Sequence, residues 1–255
     1  MTAETPAERK VFIAVPSYDG KIHVPTMNSL ITDMLMSNPG TKYTLRFNMG
    51  CCLVARARNL LVTAFMASDC TDLFFIDSDI GWQPGALHRL VSHPVDMVAG
   101  IYPKRTDRYT DFPVMWPEGT STITGHPVTG LVLAKGVPTG FLRITRKVIE
   151  KMIEAYPETR HKDNDSAMPD KTCWALFDHE ISDNTYWGED YTFCRRWGRL
   201  GGEIWVDPNL TFEHVGDKTF TGNLWSWLSA GMPGHPLVTK QAQEAAAVQP
   251  QSAAA

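Results

Sequence analysis

The chain has 255 residues, 43% of them hydrophobic, and a formal net charge of −4. That is enough apolar material for one large core, or one core with a small appendage, and the acidic balance offers no general attraction to nucleic acid or anionic membranes. No apolar stretch approaches the length of a transmembrane helix, and Met1 to Lys10 lacks the apolar centre of a signal peptide, so a cytoplasmic protein is expected.

Val11-Phe12-Ile13-Ala14-Val15 reads as a strand buried on both faces, stopped by Pro16 and followed by the turn-forming Ser17-Tyr18-Asp19-Gly20. Met27, Leu30, Ile31, Met34 and Leu35 recur at three- and four-residue steps, which predicts an amphipathic helix ending at Pro39-Gly40. Tyr43 to Phe47 predicts a strand, and Leu53 to Ala67 a longer helix. The five cysteines, Cys51, Cys52, Cys70, Cys173 and Cys194, are an odd number without paired metal spacing, and read as reduced thiols.

A second buried strand, Leu73-Phe74-Phe75-Ile76, runs into Asp77-Ser78-Asp79. Residues two apart on a strand share a side, so both carboxylates can converge on one ligand outside the sheet, where open α/β sheets bind their ligands. Two hard oxygen ligands there suit Mg²⁺ or Mn²⁺ holding a substrate's phosphates. The same residues also suit a plain turn, because Asp and Ser bond readily to their own backbone. Pro84 to Val91 predicts a short helix and Asp96 to Ala99 a strand. This alternation implies βαβ units and a mostly parallel central sheet with helices on both faces.

After Gly100 the pattern loosens. Tyr102 to Gly130 predicts loops or short hairpin strands over the ligand edge, with a basic cluster at Lys104, Arg105 and Arg108 that can clamp phosphate, meet an acceptor or remain wet surface. Leu131 to Ala134 and Phe141 to Ile144 predict strands flanking the turn that contains Gly140. Thr145 is placed to cap a helix carrying Val148, Ile149, Met152 and Ile153. His161 to Lys171 predicts a mobile loop. Glu189 to Leu200 predicts a helix, Glu203 to Val206 a strand, and Gln241 to Ala255 a disordered tail.

Four further places carry candidate chemistry. Glu189 and Asp190 open a helix, where acids complement the dipole, and either can also serve as a general base. His214, beside a strand, is either a hydrogen-bonded histidine or a neutral imidazole completing a carboxylate-bound Mn²⁺ site. Arg56 and Arg58 lie about 200° apart around one helix, so one is expected to face solvent and the other a base or diphosphate. Trp187 lies near the acidic pair, where an aromatic face can stack on a sugar ring.

Taken in order, several segments resemble a GT-A fold glycosyltransferase of the family 2 style, within the nucleotide-diphospho-sugar transferases. They are Ala14-Val15-Pro16-Ser17-Tyr18, Ala57-Arg58-Asn59, Phe75-Ile76-Asp77-Ser78-Asp79, Gly188-Glu189-Asp190, Val206-Asp207-Pro208 and Phe212-Glu213-His214. The resemblance implies one α/β, Rossmann-like GT-A domain over residues 10–236. A nucleotide-binding half would span 10–100 and an acceptor half 101–236, between disordered tails at 1–9 and 241–255. It places Pro16, Ser17, Asp19, Arg58, Asn59, Asp77, Ser78 and Gly140 along a nucleotide-sugar donor. Asp79, Asp77 and His214 would hold Mn²⁺ or Mg²⁺, and Asp190, with Glu189, would supply the base. Lys104, Arg105 and Trp187 would contact phosphate or acceptor.

The activity so implied is metal-dependent transfer of a sugar from a nucleoside diphosphate, UDP in the first instance, to an acceptor hydroxyl with inversion. A retaining enzyme, a nucleotidyltransferase and an inactive nucleotide-sugar-binding module share enough of these features to stand as alternatives. The acceptor is left open among saccharide, lipid-linked sugar, protein side chain and hydroxylated nucleobase.

Overall fold

A computed structural model describes residues 8–36, 38–107, 110–120, 123, 125–163 and 172–233. The first half alternates β1 (Arg9–Ser17), α1 (Val24–Leu35), β2 (Thr41–Met49), α2 (Val54–Met66), β3 (Asp72–Ile76), β4 (Ile80–Trp82), α3 (Ala86–Ser92) and β5 (Met97–Gly100). The second half contains β6 (Val132–Ala134), β7 (Phe141–Thr145), α4 (Arg146–Ala155), β8 (Arg160–Lys162), β9 (Thr172–Trp174), β10 (Glu180–Ser182) and β11 (Thr185–Trp187). It closes with α5 (Glu189–Arg199), β12 (Ile204–Asp207), β13 (Thr211–Val215), β14 (Thr219–Asn223) and α6 (Leu224–Ser229).

A seven-stranded mixed sheet in the order β2-β1-β3-β7-β5-β12-β6 forms the centre. β1 is parallel to β2 and β3, and β5 is parallel to β12, whereas β7 is antiparallel to both β3 and β5, and β6 to β12. Five strands therefore share one direction, and the expectation of a mostly parallel sheet needs an antiparallel strand at its heart. The cause lies in the connection. A parallel return requires a crossover of a dozen or more residues carrying the chain to the other end of the sheet. After Gly100 the chain instead adds β6 beside β12, antiparallel to it, and β7 then enters from the edge where β5 ended.

The buried strands are apolar on both sides. Phe12, Ala14, Leu73, Phe75, Leu142 and Ile144 face a core shared with α2, α4 and α5. Val11, Ile13, Val15, Phe74, Ile76 and Phe141 face a second core with α1, α3 and the small sheet described next. Period-two alternation thus sends neighbours in one continuous apolar run to opposite cores.

The three-stranded antiparallel sheet β14-β13-β4 was not legible as strands. Its Phe212 ring packs on Phe141 at 5.0 Å, and Phe141 in turn meets Phe74 and Trp82 at 4.9 Å each. A Cβ on Gly100 would lie 2.3 Å from the Phe212 ring, so this glycine is what allows the small sheet to approach β5.

Other boundaries shift for local reasons. Arg9, expected in a tail, begins β1 and donates to Asp72 Oδ1 at 3.2 Å. Thr145 occupies the N-cap of α4, but its hydroxyl bonds Asp96 at 3.3 Å and not the helix backbone. Arg160–Lys162 pairs with Thr172–Trp174 as a short hairpin in place of a loop, and the remainder of the predicted 161–171 loop, residues 164–171, lies outside the described residues. Arg108 and the predicted tails over residues 1–7 and 241–255 also lie outside them. None of the five cysteines is disulfide-bonded. Among the described residues, no helix is long and apolar enough to cross a membrane.

Phe212→Ala would empty the contact between the two sheets. It should lower stability by about 3–5 kcal/mol in urea titration, as truncation of a buried phenylalanine does. A loss below about 1 kcal/mol would mean that the small sheet is docked by other contacts.

Candidate functional site

The codirectional strands β1, β2, β3, β5 and β12 end at one edge of the sheet, and the sequence after β3 builds the site there. Asp77 does not extend β3. Its N–H donates to Gly140 O at 2.9 Å, and its own carbonyl accepts from Ile80 N–H at 3.3 Å, so Asp77-Ser78-Asp79 is a turn. The strand alternation expected to make the two carboxylates converge is therefore absent, and the two side chains have different partners.

Asp77 turns to Arg58. This guanidinium, on the inward face of α2, is nearly fully buried and reaches Asp77 Oδ1 at 3.2 Å while its other Nη pairs with Glu189 at the start of α5. It thus ties β3, α2 and α5 together through one planar fork. The Tyr102 hydroxyl lies 3.5 Å from Asp77 Oδ2, and burial, reinforced by the Asp77 charge, pushes its pKa well up, so it stays a neutral phenol. A Cβ on Gly140 would come within 2.5 Å of both Asp77 Oδ2 and the Tyr102 hydroxyl. Only glycine fits at that position.

Asp79 turns to His214. The register of β4 and β13 places His214 opposite Ile80, and Val215 N–H donates to the Asp79 carbonyl at 2.9 Å. The imidazole Nδ1 lies 2.8 Å from the Pro103 carbonyl and must donate to it. In the neutral imidazole Nε2 then carries the lone pair, and it faces Asp79 Oδ2 at 3.7 Å. Arg105 Nη1 reaches the same oxygen at 3.1 Å and the Val215 carbonyl at 3.0 Å. Burial opposes the charge on Asp79, but His214 in its imidazolium form, together with the Arg105 guanidinium, outweighs it and holds the carboxyl below its usual range.

Of the expected three ligands, Asp77 thus pairs with Arg58, while Asp79 and His214 face each other. Among the described residues no group of three His, Cys, Asp or Glu side chains is placed to hold a metal ion.

At the start of α5 the two acids divide. Glu189 is the counter-ion of Arg58, with His179 Nε2 3.7 Å away on its other oxygen. Among the described residues Asp190 accepts only from its neighbour's N–H, Tyr191, at 2.8 Å. Burial first and the Glu189 charge second push its carboxyl up to about 6, against the pull of Arg58. That value suits a base working near neutrality.

The remaining predicted residues lie around this centre or have structural partners. Ser17 ends β1 and donates to the Lys21 carbonyl at 2.6 Å, following Pro16 at the same edge, while exposed Asp19 pairs with Lys21. The Ser78 carbonyl accepts from His23 N–H and from Thr26 Oγ1. The Asn59 amide clamps the backbone of Phe177, accepting at 2.9 Å and donating at 2.7 Å, so its polar atoms are committed to packing α2 against the chain after β9. Lys104 pairs with Asp111 at 2.6 Å, and Trp187 lies under the Arg195 guanidinium at 4.2 Å. Arg56 pairs bidentately with Asp163 and is not a solvated charge. Asp207, at the end of β12, is held to a pKa of about 2 because His93 and Arg89 overcome its burial. Sequence reasoning missed Tyr102 and the Pro103 carbonyl, which sit in a stretch without periodicity.

No family model matches the chain, and no curated protein matches it. Among solved structures, the crystal structure of A197 from STIV is similar at 18% identity and a TM-score of 0.50, over 82% of this chain and 86% of that one. At that identity the likeness shows a shared α/β fold and no more.

Removing the guanidinium tests the site's keystone. Arg58→Ala would leave Asp77 and Glu189 facing each other without a cation and should lower stability toward urea by roughly 3 kcal/mol, the smaller end for a broken buried pair. Adding Glu189→Gln to that variant should restore part of the loss. Equal stability of both variants to wild type would show that the cluster carries no such strain.

Proposed function

We propose that this protein is a divalent-cation-dependent glycosyltransferase of GT-A type, moving a sugar from a UDP-linked donor to an acceptor hydroxyl with inversion. The observation that carries the reading is the assembly, at one sheet edge, of an Asp–His pair, whose Nε2 offers a lone pair in the neutral imidazole, and a separate carboxylate with a pKa near 6. These come from segments far apart in sequence: Asp79, His214 and Asp190.

The fit to a cation depends on how many ligands the protein supplies. Mg²⁺ and Mn²⁺ are commonly held through one or two carboxylates together with substrate phosphates and water. Asp79 and His214 offer one carboxylate and one imidazole, and the Pro103 carbonyl, by accepting from Nδ1, orients the ring as backbone carbonyls do behind metal-bound histidines. Two donors suit an ion that arrives with a diphosphate and not one held in advance. A cation bound there would offset the negative charge that develops on the departing nucleotide.

The chain's own groups supply the rest. The ends of β1 and β3 would receive the nucleotide, and Gly140 lets Asp77 and Tyr102 pack close against the backbone beside it. Arg105, half-exposed and already against Asp79, can turn its guanidinium to a phosphate as the oxygen it holds is taken over. Asp190, ionised above pH 6, would take the proton from the acceptor hydroxyl as that oxygen attacks the anomeric carbon from the face opposite the nucleotide. Buried Tyr102 keeps Asp77 in place as a neutral donor.

The pH dependence follows from the direction of the Asp190 shift. A carboxyl whose pKa is raised is protonated, and inactive as a base, below that value. Turnover should therefore rise as pH climbs through about 6, and Asp190→Asn should reduce it by roughly 10²- to 10⁴-fold while UDP still binds. Near-normal turnover in Asp190→Asn would refute the base assignment.

Calorimetry should show weak Mn²⁺ binding to the protein alone and much tighter binding with UDP present. Asp79→Ala should remove the dependence of UDP binding on Mn²⁺. Arg105→Ala should strengthen Mn²⁺ binding in the absence of UDP by about two- to fivefold, the size of a lost half-exposed ion pair. Tight Mn²⁺ binding without nucleotide, or no effect of Asp79→Ala, would count against this cation site.

A further inference from the structure

A cleft of about 370 Å³ opens between the first turn of α2 and the chain around β8 and β9. Nothing described so far uses it. Its walls are mainly apolar, with Leu53, Val54 and Ala55 on the α2 side and Ala175 and Phe177 opposite. Leu53 and Val54 are 63% and 40% exposed, so these apolar side chains face open space in the folded chain. The opposite wall is fixed, because both backbone hydrogen-bonding groups of Phe177 are held by the Asn59 amide. A preformed, mostly apolar recess with a few polar groups is the usual form of a small-molecule site.

Its electrostatics narrow the ligand. Arg56 is the guanidinium in the described lining, and Asp163 closes on it at 2.6 and 3.1 Å. Asp178 adds a second carboxylate at the rim. An anionic ligand would meet two carboxylates and a cation already engaged. The cleft shares residues with the surroundings of Glu189. Asn59 lies in its wall next to Arg58 in sequence, and His179, also in the lining and stacked on Tyr186 at 5.3 Å, lies 3.7 Å from Glu189.

We propose that this cleft is the acceptor subsite, and that the acceptor is a neutral hydroxyl compound with an apolar face, an aryl or alkyl group seated against Leu53, Val54 and Phe177. The assignment as an acceptor subsite rests on the glycosyltransferase reading. The hydroxylated end would lie toward His179 and Glu189, and the apolar end along the first turn of α2. A sugar phosphate or a nucleic acid does not fit these walls.

The test measures binding of phenyl β-glucoside and of glucose 6-phosphate by ligand-observed NMR, to wild type, Ala55→Trp and Leu53→Ser. Ala55→Trp fills the cleft, and Leu53→Ser changes an exposed side chain whose loss the fold should tolerate. UDP binding with Mn²⁺ is measured on each protein as the control for the donor site. The proposal expects phenyl β-glucoside to bind wild type and to weaken by roughly tenfold in both variants, as buried apolar contact is lost, with UDP binding unchanged. Glucose 6-phosphate binding as well as phenyl β-glucoside would overturn it, as would phenyl β-glucoside binding that ignores both substitutions, or no binding at all. If phenyl β-glucoside depends on the cleft but UDP with Mn²⁺ binds none of the proteins, the donor reading fails and the acceptor assignment falls with it, leaving a binding site of the stated chemistry.

Discussion

Arg58 is the contact on which the rest of the site is built. A lone guanidinium moved out of water costs several kcal/mol even after relaxation, and only good partners offset that. Here two carboxylates on separate elements supply them, Asp77 after β3 and Glu189 at the start of α5. The pairing fixes the angle between α2, α5 and the end of β3. It also commits Asp77 and Glu189 to structure, leaving Asp79 and Asp190 with different surroundings.

The small antiparallel sheet makes the second connection. Asp79 and His214 are 135 positions apart, and no local rule joins them. They meet because β4 follows Asp79 immediately and pairs with β13 in the register that sets His214 opposite Ile80. A one-residue slip would turn His214 to the other face of that sheet. The aromatic contact of Phe212 with Phe141 docks β13 on the main sheet and so holds the register in place. Packing in the core and orientation of the imidazole are one problem here.

How much of this could be read from the sequence follows from the range of each signal. Strands β1 and β3 are continuous apolar runs, and α1 and α2 repeat at helical spacing, so local patterns were sufficient for the first half. Gly140 and the acids at 77, 79, 189 and 190 were legible as residue types at the right edge. Their division of labour was not, because it is set by Arg58 and by pairing across more than a hundred residues. Asn59 was expected along a ligand, yet its amide holds Phe177; a side chain that can do either is decided only by what the fold brings opposite it. Strands β4, β13 and β14 are three to five residues long with mixed polarity, too short for periodicity to show. β7 was legible as a strand over Phe141 to Ile144, but its antiparallel direction was not, since a strand's direction is fixed by where the preceding loop delivers the chain.

Adjacent acids in one helical turn normally repel and do the same job. Glu189 and Asp190 are separated by about 100° around the helix, which turns one to Arg58 and leaves the other half-buried without a cation of its own. Glu189 then has a double effect on its neighbour. It draws the guanidinium's fork to itself, and its own charge disfavours ionisation of Asp190, adding to burial. The same arrangement that anchors α5 therefore creates a carboxyl able to gain and lose a proton near neutral pH. Two like groups acquire two roles through environment alone, and the buried cation of α2 is what separates them.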